Sequence, residues 1–177
     1  MKKILVLLLV VCMLTLTACG TPSPTDVLKA DLENAKSSPE EILSDISDSG
    51  FGETAMNQLV QKVLDFEYQL GEEKIDGDTA TVETTITTYP FGDIFKQVIT
   101  NFIMQAFANA GDMNDEDMAK LMDDLLIEEL NKAEKTYTKT VSIQLELEDD
   151  AWVVQETEEM SDALTGGLLS FAASMQE

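Results

Sequence analysis

The chain has 177 residues, and its 34 acidic side chains outnumber its 11 basic ones, which leaves a formal net charge of −23. Histidine and arginine are absent, and the cysteines are Cys12 and Cys19. This composition excludes Ser-His-Asp catalysis and histidine zinc sites, and it argues against nucleic acid, whose phosphates are neutralised by lysine and arginine.

The first 19 residues form a secretory signal pattern. Lys2 and Lys3 precede an apolar run over residues 4–14, which is shorter than a membrane span of about 20 residues. Leu16-Thr17-Ala18-Cys19 then resembles the bacterial lipobox, in which the cysteine is diacylated and the chain is cut just before it. The resemblance implies that residues 1–18 are a signal peptide that is removed and that Cys19 is lipidated. Two acyl chains hold a protein stably at a membrane, so a diacylated Cys19 would anchor the chain there. The alternative is an ordinary secretory signal with an incidental cysteine.

Residues 19–25 are rich in proline and predict an extended, lipidated tether, followed by one α+β domain over residues 26–177. Apolar spacing predicts a first helix from Asp26 and a third from Glu53 to Asp65. Between them, Ser38-Pro39 followed by Glu41 has the pattern of a helix N-terminus.

The pattern then alternates between strands and helices. Two hairpins are predicted, the first turning at Asp76-Gly77 and the second at Asp149-Asp150. Between them lie two helices, one from Asp93 and one capped by Asn114, and a last helix covers 160–175. This order predicts an α+β fold with a single antiparallel sheet of about four strands wrapped by helices, and the alternation leaves one sheet face to water.

Three segments also carry a family resemblance. They follow the lipobox along the chain and are Phe66-x-Tyr68, the run Gly-Glu-Glu-Lys-Ile-Asp-Gly-Asp-Thr-Ala-Thr-Val over 71–82, and Trp152-Val153-Val154. Together they resemble uncharacterised lipoproteins of Gram-positive bacteria with a cystatin-like, NTF2-like domain. The resemblance covers about 25–174 and implies a curved sheet wrapped by helices, but none of its motifs is catalytic.

An acidic run over 112–117 is a candidate calcium site, with Asp112, Asn114 and Glu116 as ligands, because calcium favours several oxygen ligands. When the run is compared with an EF-hand loop that starts at Asp112, the sixth position is Asp117 where the loop has glycine, and the twelfth is Asp123 where the loop has glutamate. Helix capping explains the same residues without a metal, and no other cofactor is indicated.

Tyr68, Tyr89 and Trp152 are candidates for lining a pocket for a small apolar ligand, or else are core residues with their polar tips at the rim. NTF2-like folds also include isomerases, for which Glu83, Asp93 and Tyr89 are the nominated trio.

The sequence therefore predicts a membrane-anchored lipoprotein on the extracytoplasmic face of a bacterial membrane, acting as a non-catalytic binding or interaction module. Its partner would be an unknown protein or small-molecule ligand. The alternatives are a cofactor-free enzyme of the isomerase type and a cation-binding surface module. A raised carboxylate pKa inside a closed apolar pocket would favour the enzyme, and a filled core with carboxylates at its rim would favour binding.

Overall fold

The computed structural model describes residues 22–39, 51–109 and 113–176. The predicted signal peptide, Cys19, Asp112 and most of the predicted second helix lie outside the described residues.

One antiparallel sheet organises the fold. Its strands, in spatial and chain order, are β1 Glu67–Asp76, β2 Thr79–Thr88, β3 Tyr137–Glu148 and β4 Ala151–Gln155. The predicted α+β class with a single antiparallel sheet is confirmed.

Both hairpins have two-residue turns. Gly77 has φ 61° in the first, which turns at Gly77-Asp78, one residue later than predicted. Asp149 and Asp150 have φ 49° and 66°, so both central residues of the second turn are left-handed, as a type I′ turn requires.

The helices in the described part of the chain are α1 Pro24–Lys36, α2 Glu53–Leu64, α3 Phe91–Ala108, α4 Asp115–Lys132, α5 Glu158–Leu164 and α6 Leu168–Ser174. α1 begins two residues before the predicted start, because Ser23 caps it by accepting from the Asp26 amide and Pro24 suits its first position. Pro24 and Thr25 therefore belong to the helix and not to the tether.

The prediction of one last helix over 160–175 is wrong. Gly166 and Gly167 have φ +55° and +80°, which end α5 and redirect the chain into α6. Glycine adopts these angles without steric cost, so the apolar spacing continues across a break in the helix.

The buried apolar side chains form two groups. The sheet cluster lies between one sheet face and helices α1 and α5, and it comprises Leu28, Leu32, Phe66, Ala80, Val82, Ile86, Val141, Ile143, Leu145, Met160 and Ala163. The helical cluster lies among α2, α3 and α4, and it comprises Ala55, Leu59, Phe91, Ile94, Val98, Leu125, Leu126 and Leu130.

The opposite sheet face is polar and accessible, as the alternation predicts. Threonine hydroxyls pair across β2 and β3 on this face, Thr85 with Thr140 at 2.9 Å and Thr87 with Thr138 at 3.2 Å. Cross-strand pairs of this kind stabilise a sheet without burying an apolar surface.

Candidate functional site

A cleft of about 260 Å³ opens where α3 begins beside the turn between α5 and α6. We call it the α3 cleft, and its described lining is Gly92, Asp93, Lys96, Tyr137, Gly166, Gly167 and Phe171. A neighbouring hollow of about 400 Å³ continues along α3 and shares Asp93 and Lys96. The cleft therefore combines one acid, one lysine and two aromatic rings.

Close backbone contact between the glycines shapes this cleft. The Gly92 amide donates to the Gly166 carbonyl oxygen at 3.1 Å, and a Cβ on Gly92 would lie 2.6 Å from the Gly167 oxygen. A Cβ on Gly166 would overlap the carbonyl oxygen of Tyr89. A side chain at either position would force the α5–α6 turn away from α3.

Asp162 holds α6 beside the cleft and is only 5% exposed. Its carboxylate accepts from the Ser170 amide and hydroxyl, each at 2.8 Å, and from Lys139 Nζ at 3.3 Å. Burial acts to raise the pKa of Asp162, but these donors outweigh it and hold the pKa below its usual value. The charged form therefore ties α6 to β3.

Tyr137 joins this network to the cleft. Burial and the nearby Asp162 carboxylate raise the pKa of the Tyr137 phenol, so the ring is a neutral group in the cleft wall. Gly167 leaves room for this ring, because a Cβ there would lie 3.2 Å from Tyr137 Cε2.

The cleft lies far from the end of the sheet where α1 begins. The Thr25 amide and hydroxyl donate to Glu73 at 2.9 and 2.6 Å, which pins the start of α1 to β1. Glu73 pairs with Val82, and β2 runs six residues further to Thr88 before α3 starts, a distance of about 20 Å.

The structure divides the three predicted pocket aromatics between the two clusters. Tyr68 and Trp152 pack against the sheet cluster, whereas Tyr89 packs against the helical cluster. The Tyr68 hydroxyl donates to Glu33 at 2.7 Å, and Lys36 Nζ lies 4.9 Å from the centre of its ring. Burial, followed by this hydrogen bond, raises the pKa of Tyr68 to about 12.

Tyr89 has a similar arrangement near the same end of the sheet, three residues beyond Ile86, which pairs with Tyr68. Its hydroxyl donates to Asp65 at 3.0 Å, and Lys62 Nζ lies 4.0 Å from its ring centre. Lys135 donates to the same Asp65 at 2.7 Å and holds the pKa of that carboxyl below its usual value. Both tyrosines are thus covered by lysines of the chain itself.

Glu83, Asp93 and Tyr89 occupy three different surroundings. Glu83 is exposed on the polar sheet face opposite Ser142, and Tyr89 is engaged with Asp65. Of the three, only Asp93 lines the α3 cleft.

In the predicted calcium run, Asn114 and Asp117 form a capping box at the start of α4. The Asn114 side chain accepts from the Asp117 amide at 2.9 Å, while Glu116 is exposed in the first turn. Within the described ranges no cluster of three or more acidic, histidine or cysteine side chains is arranged to hold a metal ion. With Asp112 outside those ranges, calcium binding stays a prediction.

Sequence reasoning missed Lys96, Tyr137 and Phe171 as site residues, because they come from three separated elements. The Gly166-Gly167 pair inside a helical pattern is the signal that could have located the turn beside them.

Comparison with protein-family models gives no match, and comparison with curated proteins gives none either. Among solved structures, the chain overlaps the crystal structure of a "putative lipoprotein" (YcdA) from Bacillus subtilis at 17% identity and a TM-score of 0.45. The overlap covers 82% of this chain and 47% of that chain, so this chain spans about half of its length. An overlap this loose transfers neither a family nor a function. Among the described residues, no helix is both long and apolar enough to cross a membrane.

Proposed function

We propose that this protein is an extracytoplasmic lipoprotein, anchored through Cys19, whose domain binds a ligand without transforming it. The α3 cleft is the observation that carries the proposal. It places Asp93 and Lys96 one helical turn apart beside Tyr137 and Phe171, a lining suited to a small polar ligand or a partner's side chain.

The position of the cleft supports this proposal. Four residues lie between Cys19 and Pro24, and the five steps from one residue to the next span at most about 17 Å, so a lipid anchor would lie within that distance of the start of α1. The cleft opens about 20 Å along the sheet from the point where α1 is pinned. A ligand could therefore reach it while the other end of the domain stays at the membrane.

The carboxylates also favour binding over isomerase chemistry. Burial and the nearby Glu156 raise the pKa of Asp31, but Asp31 lies on α1 and lines neither of the two clefts. An acid-base catalyst must lie within reach of its substrate's proton, and Asp31 is not among the described residues that line either of these two hollows.

Native mass spectrometry of the full chain, extracted from its own cells in mild detergent, tests the proposal. We expect a fraction with added mass that is lost in Lys96→Ala, because this change removes the cation from the cleft. Lys120→Ala is the matched control, since Lys120 is exposed on α4. A bare mass for the natural chain, or the same added mass in Lys96→Ala, would contradict the proposal.

A further inference from the structure

The two outer edges of the sheet differ in how they are protected. On β1 the pairing with β2 shifts between Leu70 and Glu73, and the strand carries several exposed charged side chains. Bulges and charges of this kind block the addition of another strand. On the other side, β4 pairs with Gln144–Glu148, and no other strand of the described residues pairs with the first half of β3 along this edge.

The backbone of that half-strand has a defined direction. The Leu147 amide donates to the Asp78 oxygen at 2.8 Å, so Leu147 points its backbone groups toward β2. Directions alternate along a strand, and the register between β2 and β3 runs without a shift. The backbone amides and carbonyls therefore point away from β2 at Thr138, Thr140 and Ser142. They face the same side of β3 on which β4 pairs with the second half of the strand.

These outward groups have no hydrogen-bond partner within the described ranges. Beyond Gln155 the chain turns into α5, whose Met160 and Ala163 pack into the sheet cluster against the buried face. The side chains of Thr138, Thr140 and Ser142 are exposed on the polar face. Three donors and three acceptors thus repeat every second residue, at a spacing of about 6.8 Å.

We propose that Thr138, Thr140 and Ser142 form a docking edge for an extended, lysine-bearing peptide segment of a partner protein. Only an extended backbone repeats its donors and acceptors at this spacing, and adding a strand to a free sheet edge is an established mode of peptide recognition. This inference deepens the proposed binding function, because Tyr137, the first residue of the same strand, lines the α3 cleft.

The negative charge around the docking edge indicates that the bound peptide carries lysine. Exposed Glu156, Glu158 and Glu159 follow directly where β4 ends, and the whole chain carries a net charge of −23. Acidic surroundings attract a lysine-bearing strand, whereas a second copy of this chain would bring two strongly negative molecules together.

Proline at position 140 provides a selective test. It removes one outward amide and keeps the β2–β3 ladder, which uses the odd-numbered residues of β3, and proline is tolerated where a strand amide faces outward. Thr140→Val is the matched control, because it keeps the amide while losing the same hydroxyl bond to Thr85.

The probe is a blocked heptapeptide in which threonine and lysine alternate, added to the full chain in detergent. By NMR, we expect the peptide to slow hydrogen exchange of the Thr138, Thr140 and Ser142 amides at least tenfold. Thr140→Pro should weaken binding at least tenfold, while Thr140→Val should bind as the natural chain does. N-methylation of every peptide amide should abolish the effect, because methylation of alternate amides would leave one edge of the extended peptide free to bind.

Four outcomes would overturn the docking edge. They are no measurable binding, equal binding by the proline and valine variants, binding that leaves the three amides fast, and slowing by protein concentration alone, which would assign the edge to a second copy. The Lys96→Ala mass experiment is read separately, so failure of the edge and failure of the cleft are distinguishable.

Discussion

The sheet cluster joins elements from both ends of the described chain, whereas the helical cluster is built mainly by α2 and by the two helices inserted between β2 and β3. The sheet cluster lies beneath the four-stranded antiparallel sheet and is covered by α1 and α5. In the helical cluster, α3 is packed along its first turns but leaves Ile103, Met104 and Phe107 47%, 58% and 78% exposed. The difference indicates that the sheet is the more stable unit and that the insertion opens more easily.

The largest expected effect on the free energy of unfolding comes from truncating one buried leucine in either cluster. Leu145→Ala and Leu126→Ala each remove a fully buried side chain, one from each cluster, and each should cost about 2–5 kcal/mol in the free energy of unfolding. In hydrogen exchange, Leu145→Ala should reduce protection throughout, whereas Leu126→Ala should affect α3 and α4 and leave β2 and β3 protected. Identical exchange patterns in the two variants would show that the clusters unfold as one unit.

A smaller effect is expected at the joint between the two regions. Gly166→Ala introduces a Cβ that overlaps the Tyr89 oxygen at a residue with φ +55°, so it should destabilise the chain by about 2–4 kcal/mol in chemical denaturation. Gly77→Ala is the matched control, with φ +61° and nothing within 4 Å, and should cost about 1–2 kcal/mol. Equal costs would mean that the close approach of this turn to α3 contributes nothing.

The smallest effect concerns the link from Asp162 to Ser170 and Lys139. The lowered pKa of Asp162 means that its stabilisation is present above the ordinary value of 3.8 and is lost as the pH falls through the lower folded value. Asp162→Asn should therefore destabilise the chain by about 1–2 kcal/mol at pH 7, since hydrogen bonds to a charged group are being weakened.

The difference from the natural chain should shrink toward zero in strong acid. Denaturation measured from pH 7 down to pH 2 checks this, with Asp93→Asn, an exposed acid of the cleft, as the control. A constant difference at every pH would contradict the assignment of a charged, stabilising Asp162.

Features that depend on neighbouring residues could be predicted well. Alternation along β2 and β3, the acidic first turn of α4 and the turn at Asp149-Asp150 all follow from contacts within a few residues. The break at Gly166 was not predicted, because the apolar spacing of α6 continues that of α5. Only the close approach of this turn to Gly92 and Tyr89 shows why glycine is needed there.

By itself, the sequence determined the α+β class, the two hairpins and the accessible polar face, since period-two patterning and turn residues act locally. The tertiary structure alone decided which residues share a site. Pairing of β2 with β3 closes the long insertion between them and brings the start of α3, Tyr137 and the α5–α6 turn together. It also decided that β4 ends at Gln155, because the chain turns into α5 there and buries Met160 and Ala163. Thr138, Thr140 and Ser142 therefore lie at an edge with which no further strand of the described chain pairs.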